Sequence, residues 1–259
     1  LERSLNYAQE GKCEWSNTPL YKRSNILLKY VAKINEHSEE LAEILCKETG
    51  KTIKNSLQEI KSIAGIITSF VERANHLYGI SIPDNFIGTE NDVVFTRREP
   101  LGVVLCVIPF NYPASTFAYK VAPALAVGNA VIIKPPSDNP LTIMRLTELL
   151  IEAGVPGNAA QVVTGSGSKV GKYLVGSHKI DAVSLTGSTD VGIDTAKAAA
   201  QNLHKLHLEL GGNDAIIICE DADIDLAVKE VIASRITNAG QICIATKRII
   251  IQKTIKEDF

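Results

Sequence analysis

From residue 103 onward the chain alternates short, continuously apolar runs with helical ones, and nothing else in it restricts the fold so tightly. The strand-like runs cover 103–108, 130–134, 161–164, 182–186 and 205–210. Helical periodicity fills the intervals near 115–126, 138–153, 169–175 and 191–202. Strands that are apolar on both faces and separated by helices predict a parallel sheet covered on both sides. Ligands of such sheets bind at the carboxyl ends of the strands. Polar and glycine residues collect at those ends: Pro109-Phe110-Asn111, Lys134-Pro135-Pro136-Ser137, Gly165-Ser166-Gly167 and Gly187-Ser188-Thr189. A further strand–helix–strand run follows Gly211-Gly212, over 214–219, 224–236 and 247–251, and reads as the start of a second α/β unit.

The first third is helical. Apolar residues recur at helical spacing over 20–47 and again over 57–77, with Gly50 and Gly79 marking the ends. Pro83-Asp84-Asn85-Phe86-Ile87-Gly88 then leads into 92–97, which alternates like an exposed strand. A net charge of −2 provides no basic field for nucleic acid, and no Lys/Arg block marks a membrane surface. The apolar runs are of strand length, too short for a transmembrane helix. Five cysteines, an odd number without a CxxC pair, fit a reducing compartment, so a cytoplasmic location is expected. The chain opens Leu1-Glu2-Arg3, with no initiator methionine or signal pattern, and is expected to be a piece of something longer.

Two side chains carry the chemistry. Cys243 lies in Asn238-Ala239-Gly240-Gln241-Ile242-Cys243, between a helical run and a strand. Glu209 stands between two leucines in Leu208-Glu209-Leu210-Gly211-Gly212, an apolar setting for a carboxylate. A thiolate on a turn can attack a carbonyl, and a carboxylate of raised pKa can later activate water. Each residue also has a plain structural reading. A free cysteine is commonly a small buried hydrophobe, and Cys13, Cys46, Cys106 and Cys219 are read that way. Glu209 could be a salt-bridged edge carboxylate, and Asn111 a turn residue before Tyr112-Pro113. Gly187-Ser188-Thr189-Asp190-Val191-Gly192 opens a helix and suits a pyrophosphate, although it lacks the G-x-G-x-x-G pattern and a plain βα turn would look the same. Lys134, at a strand end fixed by two prolines, suits an adenosine ribose or its phosphate. His204 and His207 straddle a helix-to-strand transition and read as surface or packing residues; no metal site is expected.

Seven ordered motifs resemble those of the aldehyde dehydrogenase superfamily: Glu48-Thr49-Gly50-Lys51, Arg98-Glu99-Pro100-Leu101-Gly102-Val103, Pro109-Phe110-Asn111-Tyr112-Pro113, Lys134-Pro135-Pro136-Ser137, Thr186-Gly187-Ser188-Thr189, Leu208-Glu209-Leu210-Gly211-Gly212 and Gly240-Gln241-Ile242-Cys243. The resemblance implies a Rossmann-like, doubly wound dinucleotide-binding domain over 1–211, an oligomerisation segment near 80–99, and an incomplete catalytic domain over 212–259. It implies NADP- or NAD-dependent oxidation of an aldehyde to an acid, with Cys243 forming a thiohemiacetal and then a thioester. Asn111 and the Cys243 N–H would hold the oxyanion, and Glu209 would activate the hydrolytic water. The cofactor would touch Ile108, Pro109, Phe110, Lys134, Ser137, Gly167, Gly187, Ser188, Val191 and Leu210. A homodimer or homotetramer is implied for the full-length protein.

Many NAD-preferring members carry glutamate where Ser137 stands. A carboxylate would repel a 2′-phosphate, whereas serine can donate to one beside Lys134, so NADP is expected to be accepted. The family's later glutamate–Phe-Gly-Pro motif is absent, and this piece alone is expected to be inactive. Glu209 argues against a CoA-acylating semialdehyde dehydrogenase, whose members generally lack that base. A nucleotide-binding module without turnover is the remaining alternative. The segments 92–100 and 241–248 look most like the lactaldehyde and non-phosphorylating glyceraldehyde-3-phosphate branch, which implies a small hydroxylated or phosphorylated aldehyde.

Overall fold

The computed structural model describes residues 1–83 and 86–259, so Asp84 and Asn85 of the proline–glycine stretch lie outside the described residues. Four helices precede the sheet: α1 (Glu2–Asn17), α2 (Leu20–Glu36), α3 (Ser38–Thr49) and α4 (Ile53–Ala74). The first was not anticipated. It buries only Leu5, Ala8, Gly11 and Trp15 along one stripe, too thin a signal among its charges, and Trp15 anchors it by donating to the Leu125 carbonyl at 2.8 Å. The single helical stretch expected over 20–47 is two helices broken at His37 (φ −96°, ψ 16°). Apolar spacing runs on through a one-residue turn, so periodicity misses it. Ser38-Glu39-Glu40, acidic residues at a helix start, was the available signal.

A two-stranded antiparallel ribbon follows, β1 (Ser81–Ile82) with β2 (Val94–Phe95), exposed on both strands. Then come β3 (Val103–Val107), α5 (Pro113–Ala126), β4 (Ala130–Lys134), α6 (Leu141–Glu152), β5 (Ala160–Val162), α7 (Lys172–Val175), β6 (Ala182–Thr186), α8 (Thr189–Ala200) and β7 (Lys205–Glu209). A π-helical turn, Gly167–Gly171, leads directly into α7, so the helix expected over 169–175 is only partly α. The five strands form one parallel sheet in the order β5-β4-β3-β6-β7. Leu105 of β3 sits opposite Ile132 and Val183, and all three are sealed from solvent. Each such side chain contributes about 1.5–3 kcal/mol of burial.

The chain order reverses between β3 and β6, and the crevice at such a switch point is where doubly wound sheets take ligands. After it, β8 (Ala215–Ile218), α9 (Ile224–Ile236) and β9 (Arg248–Ile251) form a small separate unit, with β8 and β9 paired in parallel. Among the described residues no helix is long and apolar enough to cross a membrane.

Two carboxylates from the first four helices cap helices of the sheet layer. Glu48, at the end of α3, accepts the Thr142 N–H (2.8 Å) and hydroxyl (2.7 Å) at the start of α6. Glu59 of α4 accepts the Ala114 and Ser115 N–H groups (3.0 and 3.1 Å) at the start of α5. Neither α5 nor α6 has a side-chain cap of its own. Negative charge at these N-termini complements the helix dipoles and satisfies N–H groups that no carbonyl can reach.

Candidate active site

The segments that follow β3 and β7 meet the loop after α9. Asn111 lies just beyond β3. Its side-chain amide donates to the Gln241 carbonyl at 2.7 Å, while the Asn238 amide donates back to the Asn111 carbonyl at 3.2 Å. Asn139 donates to the neighbouring Phe110 carbonyl at 2.9 Å. The β3 loop and the cysteine loop are therefore clasped in both directions, across about half the sequence.

The cysteine loop has an uncommon backbone. Asn238 (φ 51°), Ala239 (φ 56°) and Gly240 (φ 75°) are three consecutive left-handed residues. Left-handed backbone costs a residue with a Cβ about 1–2 kcal/mol. At position 240 a Cβ would also stand 2.6 Å from Arg235 Nη1 and 3.0 Å from its carbonyl, so glycine is required there. The turn closes with the Ala245 N–H on the Ile242 carbonyl (3.2 Å), leaving Cys243 exposed, its carbonyl accepting from Lys247 Nζ at 2.6 Å. The end of β7 comes close: a Cβ on Gly212 would lie 2.9 Å from the Cys243 carbonyl oxygen.

Glu209 needs a correction. Its side chain is 65% exposed and lies 3.3 Å from His207 Nε2, not in an apolar setting. β7 is an edge strand, so its leucine neighbours do not enclose the carboxylate. From His207 a polar track leads inward, with Nδ1 3.2 Å from the Ser184 hydroxyl, which accepts from Lys120 Nζ at 3.0 Å. Lys120 is buried, and that burial lowers its pKa to about 8 against the opposing pull of Cys106 and Glu209. Sequence reading passed over Lys120 because a lysine on a helix ordinarily marks the solvent face. His204 points elsewhere, donating to the Val175 carbonyl at 3.0 Å. No cluster of three or more metal-binding side chains stands among the described residues.

The cysteines also divide differently from expectation. Cys106 is buried, and its thiol is pushed up to about 12 by that burial. Cys46 is half-buried, donating to the Lys51 carbonyl at 3.0 Å. Cys13 and Cys219 are exposed and so are not core hydrophobes. Cys13 lies within α1, outside its buried stripe, and Cys219 directly follows β8.

Lys134 is buried at the end of β4 and its ammonium donates to the Pro135 carbonyl at 2.9 Å. Burial lowers its pKa. An ammonium has three donors, and among the described residues this is the one hydrogen bond it makes. Ser137, exposed, donates to the Gly165 carbonyl at 3.2 Å, which brings the β4 and β5 loops together. Phe110 and Val191 present half-exposed apolar surface around the same crevice, with Ile108 and Leu210 more enclosed. Pro109 and Gly187 lie on the loops after β3 and β6, and Gly167 opens the π-helical turn.

The two helices at the switch point differ at their N-termini. That of α5 is filled by Glu59. That of α8 has only the Ser188 hydroxyl, accepting from the Val191 N–H at 3.4 Å, with Ser188 and Thr189 open to solvent. An incoming anion would meet a carboxylate at the first and exposed N–H and hydroxyl donors at the second.

The sequence pattern that defines the aldehyde dehydrogenase family matches residues 1–259. The chain belongs to that family. It is similar to the D-glyceraldehyde dehydrogenase (NADP(+)) of Picrophilus torridus, 34% identical, with 100% of this chain aligned to 52% of the relative. The solved structure of a lactaldehyde dehydrogenase superposes with a TM-score of 0.95 at 33% identity, covering 100% of this chain and 54% of that one. A betaine aldehyde dehydrogenase from Staphylococcus aureus, solved in complex with NAD+, gives 0.95 at 34% identity, covering 99% of this chain and 51% of that one. The chain thus spans about half the length of the aldehyde dehydrogenases it matches.

Proposed function

We propose that this chain carries the dinucleotide-binding unit, over 1–211, and the nucleophile loop, within 212–259, of an NAD(P)-dependent aldehyde dehydrogenase. The observation that supports this best is the two-way clasp between Asn111 and the cysteine loop. An amide donor and an exposed thiol on adjoining loops are what a carbonyl addition needs. In this reading the Cys243 thiolate adds to the aldehyde carbon, and its oxygen, now negative, is held by the Asn111 amide and the Cys243 N–H. A donor preorganised for a developing oxyanion is worth about 3–4 kcal/mol. Asn111 releases Gln241 to turn to that oxygen. A nicotinamide dinucleotide held in the crevice would supply the hydride acceptor, so that loss of hydride from the thiohemiacetal carbon leaves a thioester on Cys243. Glu209 then takes a proton from water, the resulting hydroxide adds to the thioester carbon, and the Cys243 thiolate leaves as the acid forms.

The crevice residues fit a dinucleotide. Ser188, Gly187 and Val191 offer the open helix start for a pyrophosphate, and Lys134 and Ser137 offer donors for a ribose or 2′-phosphate. Ile108, Pro109, Phe110, Gly167 and Leu210 supply the walls. The relatives' names span both dinucleotides, and a small hydroxylated aldehyde is the substrate class we favour, with a homodimer or homotetramer as the full-length state. Glu209→Gln in the full-length enzyme tests the chemistry: a hydride burst should survive while steady turnover falls by about 10² to 10⁴. Unchanged turnover would return Glu209 to its pairing with His207. Recovery on adding CoA would favour an acylating enzyme.

A further inference from the structure

We propose that Glu59, with Lys51 as its counter-charge, is the positioning residue for Asn111. This rests on the oxyanion reading above and extends it to two groups that touch neither substrate nor cofactor. The Lys51 and Glu59 side chains are 2% and 1% exposed and are joined by a direct ion pair. One Glu59 oxygen takes that ammonium, and the other takes the first N–H groups of α5, from Ala114 and Ser115. The Lys51 ammonium also lies 3.6 Å from the centre of the Tyr112 ring. Residues immediately after Asn111 are thus held, at three points, to one buried pair of charges.

The local sequence does not do this work. The residue at the N-cap of α5 is Tyr112 (φ −137°, ψ 65°), which provides no side-chain cap. A serine or aspartate at that position would satisfy the same N–H groups from within the loop. A carboxylate reaching across from α4 instead fixes where α5 begins relative to a different helix, and Asn111 is two residues before that start. A buried ion pair seldom stabilises more than apolar side chains of the same volume would. Geometry is therefore the better account of its presence. The remaining ties on the loop hold backbone carbonyls, Asn139 that of Phe110 and Asn238 that of Asn111 itself, and leave the start of α5 to Glu59.

The test uses the full-length enzyme and the best substrate from a panel of glyceraldehyde, lactaldehyde and succinic semialdehyde. Lys51→Met with Glu59→Leu replaces the pair by apolar groups of similar volume. Lys51→Met with Glu59→Gln keeps an acceptor for the α5 N–H groups. Each pair of changes is made in the parent and in an Asn111→Ala background, with kcat and the NADPH dissociation constant measured. The apolar pair should lower kcat by about 10- to 100-fold, the scale of a displacement on the order of 1 Å, and leave NADPH binding unchanged. The glutamine pair should recover most of the loss. In the Asn111→Ala background neither should lower kcat further. Equal losses in both backgrounds would make the pair merely structural and overturn the proposal, as would full kcat in the apolar variant. If that variant does not fold, the glutamine pair carries the same comparison: a small loss confined to the Asn111 background supports the role, and an equal loss in both refutes it. Asn111→Ala with undiminished kcat would instead sink the oxyanion reading itself, an outcome visible without either double variant.

Discussion

Strands β3 and β4 and strands β8 and β9 are written in the same alphabet of valine and isoleucine, yet they meet opposite fates. Val103 and Leu105 are wholly enclosed, whereas Ile217 is 68% and Ile250 48% exposed. The first pair lies between helices on both faces and strands on both sides. The second has one helix and a single partner strand each. An apolar run specifies extended backbone, but its neighbours specify burial. The site spans this divide: Asn111 follows β3, Cys243 lies in the open unit, and Glu209 ends β7, the exposed edge of the first sheet.

The contrast can be broken first by core truncation. Leu105→Ala should destabilise the protein by about 2–5 kcal/mol, while Ile250→Ala should cost under about 1 kcal/mol. Urea unfolding of both would read this, and similar losses would mean that the second sheet is as tightly packed as the first.

Alkaline pH probes the enclosed part alone. Lys120 titrates near 8 when folded and near its ordinary 10.5 when unfolded, so the unfolded chain binds more protons between those values and stability rises with pH. Cys106 titrates at about 12 when folded against 9.0 unfolded, so the unfolded chain gives up its proton first and stability falls from pH 9 upward. Buried Tyr30, whose pKa is also raised, adds to the fall. Urea midpoints should therefore climb from pH 8 to 9, flatten, and fall above about 10.5, where the unfolding free energy drops by a few kcal/mol. Lys120→Met should reduce the climb, leaving what buried Lys134 contributes, and Cys106→Ala should soften the drop. A steady decline from pH 8 in the parent would contradict the buried cation.

A smaller effect separates the thiols. Iodoacetamide on the folded protein should label Cys243 ahead of exposed Cys13 and Cys219, and Cys106 last, as mapped by peptide mass. Labelling of Cys106 before Cys243 would invert the assignment of open and enclosed regions. The least effect belongs to the exposed His207–Glu209 pair: His207→Ala should change stability by under about 1 kcal/mol. A larger loss would show that the polar track to Lys120 is structural.

The sheet was legible because its strands and helices alternate with the spacing that a parallel sheet demands, and all five strands match within a residue or two. Helix α1 and the break at His37 were not, because one is marked by a thin apolar stripe and the other by a single turn. The site residues could be located by sequence, yet not their surroundings. Glu209 between two leucines looks enclosed until β7 proves to be an edge. Glu59 and Lys120 look like solvated helix charges, and only tertiary packing reveals where their side chains end.

The two borrowed helix caps have a consequence for how the molecule assembles. Glu48 and Glu59 precede their partners by 94 and 55 residues. During synthesis the first helices emerge before the N–H groups that their carboxylates cap, and α5 and α6 later emerge with unsatisfied starts. Neither half reaches its final form before the other docks. Long sequence separations of this kind slow folding, and they make the meeting of the helical layer with the sheet, rather than the growth of either, the natural candidate for the rate-limiting step.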